Sequence, residues 1–352
     1  MTTTPRSSPS AAEVRVSAPS RLHFGLLARG GEAKRWHGGA GLMIASPGLE
    51  LLAYRDDRWS AEGPLADRAL RAAQAIASRL AMPDRSPLGP VRIVIDRAGG
   101  EHLGLGAGTQ LHLAMARALT CLAGQPQASL AELVRLAGRG RRSGIGAYGF
   151  ERGGLLVDGG HAHDREQDEA TGLAPLLCRL EFPEEWSILI VIPPAIAAGL
   201  HGASEREAFA KLEPIADPIV DRLCRLVLLG MLPAVAERDL PNFGSALEEL
   251  QQRVGETFAE AQGGVYAHPL AEIIVARMRS SGLRGVGQSS WGPALYGFSA
   301  AAPEEREAIA ARIRDEFGFN ETAVFWTAAD NQGAISCCRL RHGLETAGES
   351  LE

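Results

Sequence analysis

Apolar and polar residues alternate along Val91-Arg92-Ile93-Val94-Ile95, and the run is rich in β-branched residues, so it predicts a strand. Leu111 to Leu119 combines apolar residues with strong helix formers and predicts a buried helix. Upstream, Glu13 to Pro19 reads as a strand, Gly38 to Ala45 as a turn into another, and Leu49 to Tyr54 as that strand's neighbour. Asp67 to Leu80 is Ala- and Arg-rich with helical spacing. Ser129, with Glu132 three residues on, is a capping-box start for a further helix. Gly153 to His161 reads as a short strand ending in an acid and a histidine. The polar, acidic stretch from His161 to Thr171 then reads as a loop and the domain boundary.

The second half alternates in the same way. Trp186 to Ile192 is an apolar strand stopped by Pro193-Pro194. Helical patterns fall at Asp217–Leu229, Phe243–Gln251 and Pro269–Met278, and strands at Leu283–Gly287 and Ala294–Phe298. Pro303 to Phe317 reads as a helix, with Thr322–Trp326 and Gly333–Cys338 closing the sheet. This order predicts a small α+β sandwich. The expected domains are 13–170 and 171–342, flanked by a disordered Ser/Thr/Pro-rich tail at 1–12 and a second tail at 343–352. No internal repeat is present.

Composition narrows the class. A chain of 352 residues accommodates two domains, and 45% hydrophobic with 22% charged residues is ordinary for a soluble protein with a sizeable core. A net charge of −6 argues against non-specific nucleic-acid binding. No apolar run reaches the length of a membrane span, and the N-terminus has no signal-like apolar region. The five cysteines (Cys121, Cys178, Cys224, Cys337, Cys338) are odd in number and show no zinc spacing. They read as reduced thiols, which places the protein in the cytoplasm.

The candidate chemistry centres on Gly99 to Gln110, between the predicted strand and the buried helix. Glycines at 104, 106 and 108 open the helix, so free N–H groups and the helix dipole can converge on an anion with no Cβ in the way. Thr109 can cap the helix or reach a metal-bound phosphate oxygen. The alternative is a loop that needs glycines only to turn. No Gly-Lys-Ser/Thr follows, so this is not a Walker A loop, and the Rossmann fingerprint fits poorly. In Ser20 to Leu26 one strand face presents Arg21, His23 and Gly25, which suits an anion or, equally, a solvated surface. Gly138 to Gly146 holds Arg139, Arg141 and Arg142 among glycines, a flexible acid clamp or an exposed charged turn.

Gly104-Leu105-Gly106-Ala107-Gly108-Thr109-Gln110 resembles the central phosphate motif of the GHMP kinase superfamily. Ser17 to Gly25 resembles that superfamily's N-terminal motif, and Gly285 to Pro293 its C-terminal glycine motif, in the same order over most of the chain. More narrowly, SRLHFGL, GLGAGTQL, RSGIGAYGFERGGLLVDGGH and GVGQSSWGP together resemble β-ribofuranosylaminobenzene 5′-phosphate synthases. The resemblance implies an α+β, GHMP-kinase-like two-domain fold, with an N-terminal mixed sheet bearing helices and a C-terminal ferredoxin-like sandwich.

It also implies condensation of phosphoribosyl diphosphate with 4-aminobenzoate or 4-hydroxybenzoate. Diphosphate and CO2 would leave, Mg2+ would assist, and the product would be a C-riboside 5′-phosphate for tetrahydromethanopterin biosynthesis. On that basis Gly104, Gly106, Gly108 and Thr109 are expected to bind the diphosphate, and Arg21 and His23 to contact phosphate or protonate the leaving group. Arg141 and Arg142 would neutralise a phosphate or the carboxylate, with Arg142 catalytic like Arg21 and His23. Asp158 would ligate Mg2+ (or merely cap a turn), and Ser289, Ser290 and Trp291 would line the aromatic pocket. A homodimer is the expected assembly.

One departure separates the enzyme classes. Superfamily kinases commonly carry Ser-Gly-x-Asp, and after Ser143-Gly144-Ile145 this chain has Gly146. A side-chain base is worth about 10²–10⁴ in rate, so its loss weakens an ATP-dependent small-molecule kinase. A non-catalytic sugar-phosphate or nucleotide sensor is compatible with it.

Overall fold

The first alternation becomes β1 (Ala11–Leu26), longer at both ends than the run expected from the pattern. In this computed structural model, which describes residues 11–32, 34–80, 88–140, 142–162, 172–194 and 214–340, β1 is the spine of the first half. The short β2 (Arg29–Gly30) and β3 (Arg35–Trp36) lead into β4 (Gly39–Arg55), which pairs antiparallel with β1 from end to end. Gly38–Ala45 and Leu49–Tyr54, expected as neighbours, are therefore one strand. Ser46-Pro47-Gly48 carries the composition of a turn, but Gly48, at φ +66°, only bends β4, and both halves keep β1 as partner.

The bend splits the sheet. The far half of β4 pairs with β6 (Val91–Ala98), which takes β5 (Ser60–Glu62) as a parallel neighbour. The near half pairs with β7 (Leu155–Asp158), and β7 with β9 (Leu176–Leu180), while β8 (His161–Ala162) joins β3. Helices α1 (Ala66–Ala77), α2 (Ala107–Leu122) and α3 (Leu130–Ala137) cover one face. Leu111, Leu113 and Leu119 of α2 are fully buried in the same core as Val16, Leu51 and Ile93. Each such side chain contributes about 1.5–3 kcal/mol by leaving water. The predicted capping box is present: Ser129 Oγ accepts the Glu132 N–H, and the Glu132 carboxylate accepts the Ser129 N–H. Helix α4 (Ile145–Arg152) follows the arginine loop.

In the second half, β10 (Ser187–Val191) leads past α5 (Asp217–Leu226), a π-turn at Val227–Met231 and α6 (Leu232–Ala236) to α7 (Leu240–Gln262). The last is more than twice the length expected there. Then come α8 (Ala271–Ser280), β11 (Arg284–Gln288), β12 (Leu295–Ser299), α9 (Pro303–Phe317) and β13 (Val324–Thr327). The antiparallel order β11-β12-β10-β13 packs α8 and α9 on one face. Its other face meets β1 and α7, where Phe24 stacks at a tilt 5.4 Å from Tyr296.

The run expected to close this second sheet, β14 (Ile335–Leu340), instead crosses back and pairs with β1 in the first. Alternation specifies a strand but not its sheet. β9 likewise lies past the boundary expected at 170, yet belongs to the first sheet. Residues 163–171 of the expected boundary loop, the tails at 1–10 and 341–352, and Arg141 lie outside the described residues.

Candidate functional site

The three glycine-bearing motifs meet at one cavity of about 610 Å3. Their junction is Ser289, fully buried, which follows β11. Its Oγ donates to the Gly104 carbonyl at 2.8 Å and accepts the His23 N–H at 3.0 Å. The Ser290 N–H donates to the His23 carbonyl at 3.0 Å, and the Arg21 N–H to the Leu105 carbonyl at 2.9 Å. Gly104 has φ +80°, and a Cβ on it would collide with the Ser289 carbonyl oxygen. That glycine is what lets the third motif close on the second. Ser289 thus pins the motifs together and stands behind the cavity wall, while Ser290 and Trp291 line it.

At the head of α2 the N-cap is Gly106, at φ 76°, and no side chain caps the helix. Thr109 lies one turn inside, so the expected capping role passes to glycine, and Thr109 faces the cavity. An uncapped first turn leaves N–H groups and the positive end of the dipole for an anion. Gln110 Nε2 donates to the Gly146 carbonyl at 2.9 Å and so ties α2 to α4. A Cβ on Gly146 would lie 3.1 Å from Thr109 Cγ2 and 3.9 Å from Arg21 Nη1. The position that lacks a carboxylate therefore looks onto the Thr109 methyl and the Arg21 guanidinium, the second of which a carboxylate would engage.

Arg21, Arg68, Arg139 and Arg142 line the cavity, against one lining carboxylate among the described residues, Glu101, which pairs with Arg68 at 2.5 Å. Two of the lining histidines, His23 and His37, add hydrogen-bonding capacity but no charge. Burial, then Arg21 and His37, push His23 down to about 3; burial, then Arg142, His161 and Arg29, push His37 down to about 4. A neutral His23 is a poor proton source, so the expected protonation of a leaving group does not suit it. Hydrogen bonding to phosphate does.

Asp158 is fully buried and does not line the cavity. Its Oδ2 accepts from Ser143 Oγ and the Gly144 N–H, both at 2.8 Å, and its Oδ1 from the Gly160 N–H at 2.9 Å. Burial raises its pKa against the pull of these donors. The carboxylate expected to ligate Mg2+ is thus engaged in shaping the arginine loop and the start of α4. No group of three His, Cys, Asp or Glu among the described residues could hold a metal. The described residues do not make a site that would hold Mg2+ by protein ligands alone.

The lining is not all cationic. Val254 and Phe258 of α7, with Val265 and Trp291, also line the cavity beside Gln251, Gln262 and Gln288, and Trp291 meets Phe258 edge-on at 5.3 Å. Gly25, at φ +145°, lets α7 approach: a Cβ there would stand 2.8 Å from Val254 Cγ2. A cavity lined by several cations and by aromatic and aliphatic side chains can hold a polyanion beside a flat hydrophobic group.

Two archaeal proteins resemble the chain over nearly its full length. Both are named β-ribofuranosylphenol 5′-phosphate synthase. The one from Methanothermobacter thermautotrophicus is 32% identical over 339 residues, covering 92% of this chain and 98% of its own length. This chain belongs to that family. The synthase from Archaeoglobus fulgidus is also 32% identical, over 328 residues, covering 91% of this chain and 98% of its own. No family model matches the chain. Among solved structures, homoserine kinase from Cytophaga hutchinsonii superposes with a TM-score of 0.66 at 15% identity, over 96% of this chain and 99% of that one. Mevalonate diphosphate decarboxylase from Enterococcus faecalis gives 0.60 at 15%, over 94% and 100%. The fold is the two-domain GHMP-kinase-like one that the motifs implied. No described helix of this synthase-family chain is long and apolar enough to cross a membrane.

The structure brings together Arg21, His23, Arg142, the glycines, Thr109, Ser290 and Trp291, and sets Ser289 and Asp158 behind the surface. Sequence reasoning missed Arg68, His37 and the face of α7. Gln251, Val254, Phe258 and Gln262 recur at helical spacing and would have been found had the helix been extended to its true end.

Proposed function

We propose that this protein condenses phosphoribosyl diphosphate with a para-substituted benzoate, 4-hydroxybenzoate or 4-aminobenzoate, releasing diphosphate and CO2. The observation that carries this reading is the mixed lining of one cavity: four arginines and an uncapped helix N-terminus share it with Phe258, Trp291, Val254 and Val265. The family's archaeal members are named for a phenol product, so the hydroxy acid is the first substrate to try. The C-riboside 5′-phosphate formed would serve tetrahydromethanopterin biosynthesis.

In this reading the bond from C1 of the ribose to the diphosphate oxygen breaks, and its electron pair leaves with the diphosphate. The glycine loop, the α2 amides and Arg21 hold that departing charge, and electrostatic stabilisation of this kind is commonly the largest catalytic contribution. The ring carbon bearing the carboxylate then bonds to C1, with the para group donating into the ring. The carbon–carboxylate bond breaks, its electrons restore aromaticity, and CO2 departs. No proton has to be removed by a side chain, which accords with Gly146 and a neutral His23. Phe258 and Trp291 hold the ring, while Arg142 meets the 5′-phosphate or the carboxylate before it leaves. Mg2+ would arrive on the diphosphate, whose hard oxygens suit it; the steps above belong to the chain's own groups.

The test is one incubation with Mg2+, phosphoribosyl diphosphate and either benzoate labelled at its carboxyl carbon, beside a tube with ATP and small alcohols. Labelled CO2 with a ribosyl-aromatic product is expected. ADP release without CO2 would favour the kinase, and silence in both tubes with ligand-induced stabilisation would favour the sensor.

A further inference from the structure

Arg139 enters the cavity wall from the loop after α3, and its place is set by that helix's end. Gly138, at φ 62°, caps α3, and the Arg139 N–H donates to the Val134 carbonyl at 3.1 Å. The guanidinium meets no carboxylate among the described residues. Its Nη2 lies 3.0 and 3.1 Å from the two ring nitrogens of His112, and its Nε is buried without a partner. His112 Nδ1 lies 2.7 Å from the Gly108 carbonyl oxygen, so Nδ1 carries the proton and Nε2 accepts from Arg139. Arg68 stands on the same spot, where a Cβ on Gly108 would overlap its guanidinium. Among the described residues the groups around this cluster are thus Arg68, Arg139, Arg79 and a neutral His112, with Glu101 on Arg68 as the single opposing charge. Burial, then Arg68, lowers Arg139 to about 10, the direction expected of a buried cation that meets no counter-charge among the described residues.

A half-buried guanidinium with a neutral partner, facing a cavity, calls for an anion. The location says which. The cluster adjoins Gly108 in the first turn of α2, so an anion here touches whatever anion the helix N-terminus holds. The two phosphoryl groups of a diphosphate share an oxygen and fit adjacent subsites, whereas a 5′-phosphate lies a ribose away. Arg142, by contrast, is close enough to His37 to lower its pKa.

We infer that Arg139, with Arg68 and His112, forms a binding subsite for the terminal phosphoryl group of a diphosphate whose inner phosphoryl lies on the glycine loop. The inference rests on the synthase reading and names where its leaving group is held.

Calorimetric titration of inorganic diphosphate and inorganic phosphate into the intact protein tests it, alongside Arg139→Gln and Arg139→Lys. Losing a charged hydrogen-bonding partner should weaken diphosphate about ten- to hundredfold in Arg139→Gln, with a much smaller change for phosphate. Arg139→Lys should recover part of the loss. Melting temperature should hold or rise, since the half-buried cation removed lies beside Arg68 and meets no carboxylate among the described residues. Unchanged diphosphate affinity in Arg139→Gln overturns the inference, as does an equal loss for both anions or a fall in melting temperature that accounts for the loss. A wild-type protein that ignores diphosphate overturns it too. The labelled-CO2 assay on the wild type separates these outcomes from failure of the synthase reading.

Discussion

Replacing Gly146 by Asp would put a carboxylate where Cβ already stands 3.9 Å from Arg21 Nη1. Two unit charges about 4 Å apart interact by roughly 4 kcal/mol at an effective dielectric of 20 and about 1 kcal/mol in bulk water. A half-open cavity lies between these limits. The new charge would pair with Arg21 and repel an incoming phosphoryl group, for a loss near 2 kcal/mol, or about thirtyfold in the KM for phosphoribosyl diphosphate. Stability should move little, because an acid in the first turn of α4 gains about 0.3–1 kcal/mol from the helix dipole. Crowding against Thr109 offsets that gain. Gly146→Ala supplies the steric control and Gly146→Asn the uncharged isostere. Initial rates against phosphoribosyl diphosphate at saturating benzoate, with urea unfolding of the same samples, make the measurement. If Asn is as damaging as Asp, or if Asp leaves this KM unchanged, the charge argument is wrong.

Ser289→Ala leaves the His23 N–H and the Gly104 carbonyl without their buried partner. At about 1–3 kcal/mol for each unsatisfied group, urea unfolding should show roughly 2–5 kcal/mol of destabilisation; a loss under about 1 kcal/mol would mean the motifs are held otherwise. Arg142→Ala should lower kcat/KM far more than it lowers Tm, and matched losses would assign Arg142 to structure. The buried histidines set the acid limit. His23 at about 3 and His37 and His112 at about 4 stay neutral when folded but protonate near 6.5 when unfolded. The unfolded state then binds more protons below that value. Stability is full above it and falls with pH, approaching about 1.4 kcal/mol per pH unit for each histidine until the folded pKa is reached. Urea midpoints that stay flat from about pH 7.5 to about pH 5 would contradict this, and His112→Gln should shallow the slope.

Local signals were read well because they encode local geometry. The alternation at Val91, the helix formers after Gly108, the Ser129–Glu132 box and the Pro303 start each act within a few residues, and each element formed there. The glycines at 104 and 106 announced left-handed backbone, which the loop adopts. The motif order carried the fold and the family.

Tertiary structure decided what depends on distant partners. Whether Ser46-Pro47-Gly48 ends β4 or bends it is settled by β1, which pairs with both halves. The same strand draws β14 away from the second sheet. Ser289 and His23 are 266 positions apart, and nothing local distinguishes a serine that pins two motifs from one that lines a pocket. Asp158 turned inward because the Ser143 hydroxyl and the Gly144 and Gly160 amides wait for it there. Arg139 meets His112, and no carboxylate among the described residues, only because the end of α3 places it there. Sequence by itself determined most of the elements, the left-handed glycine loop and the family. Which side chains face the cavity, and with what charge, was settled by long-range packing and burial, the two terms a linear pattern does not contain.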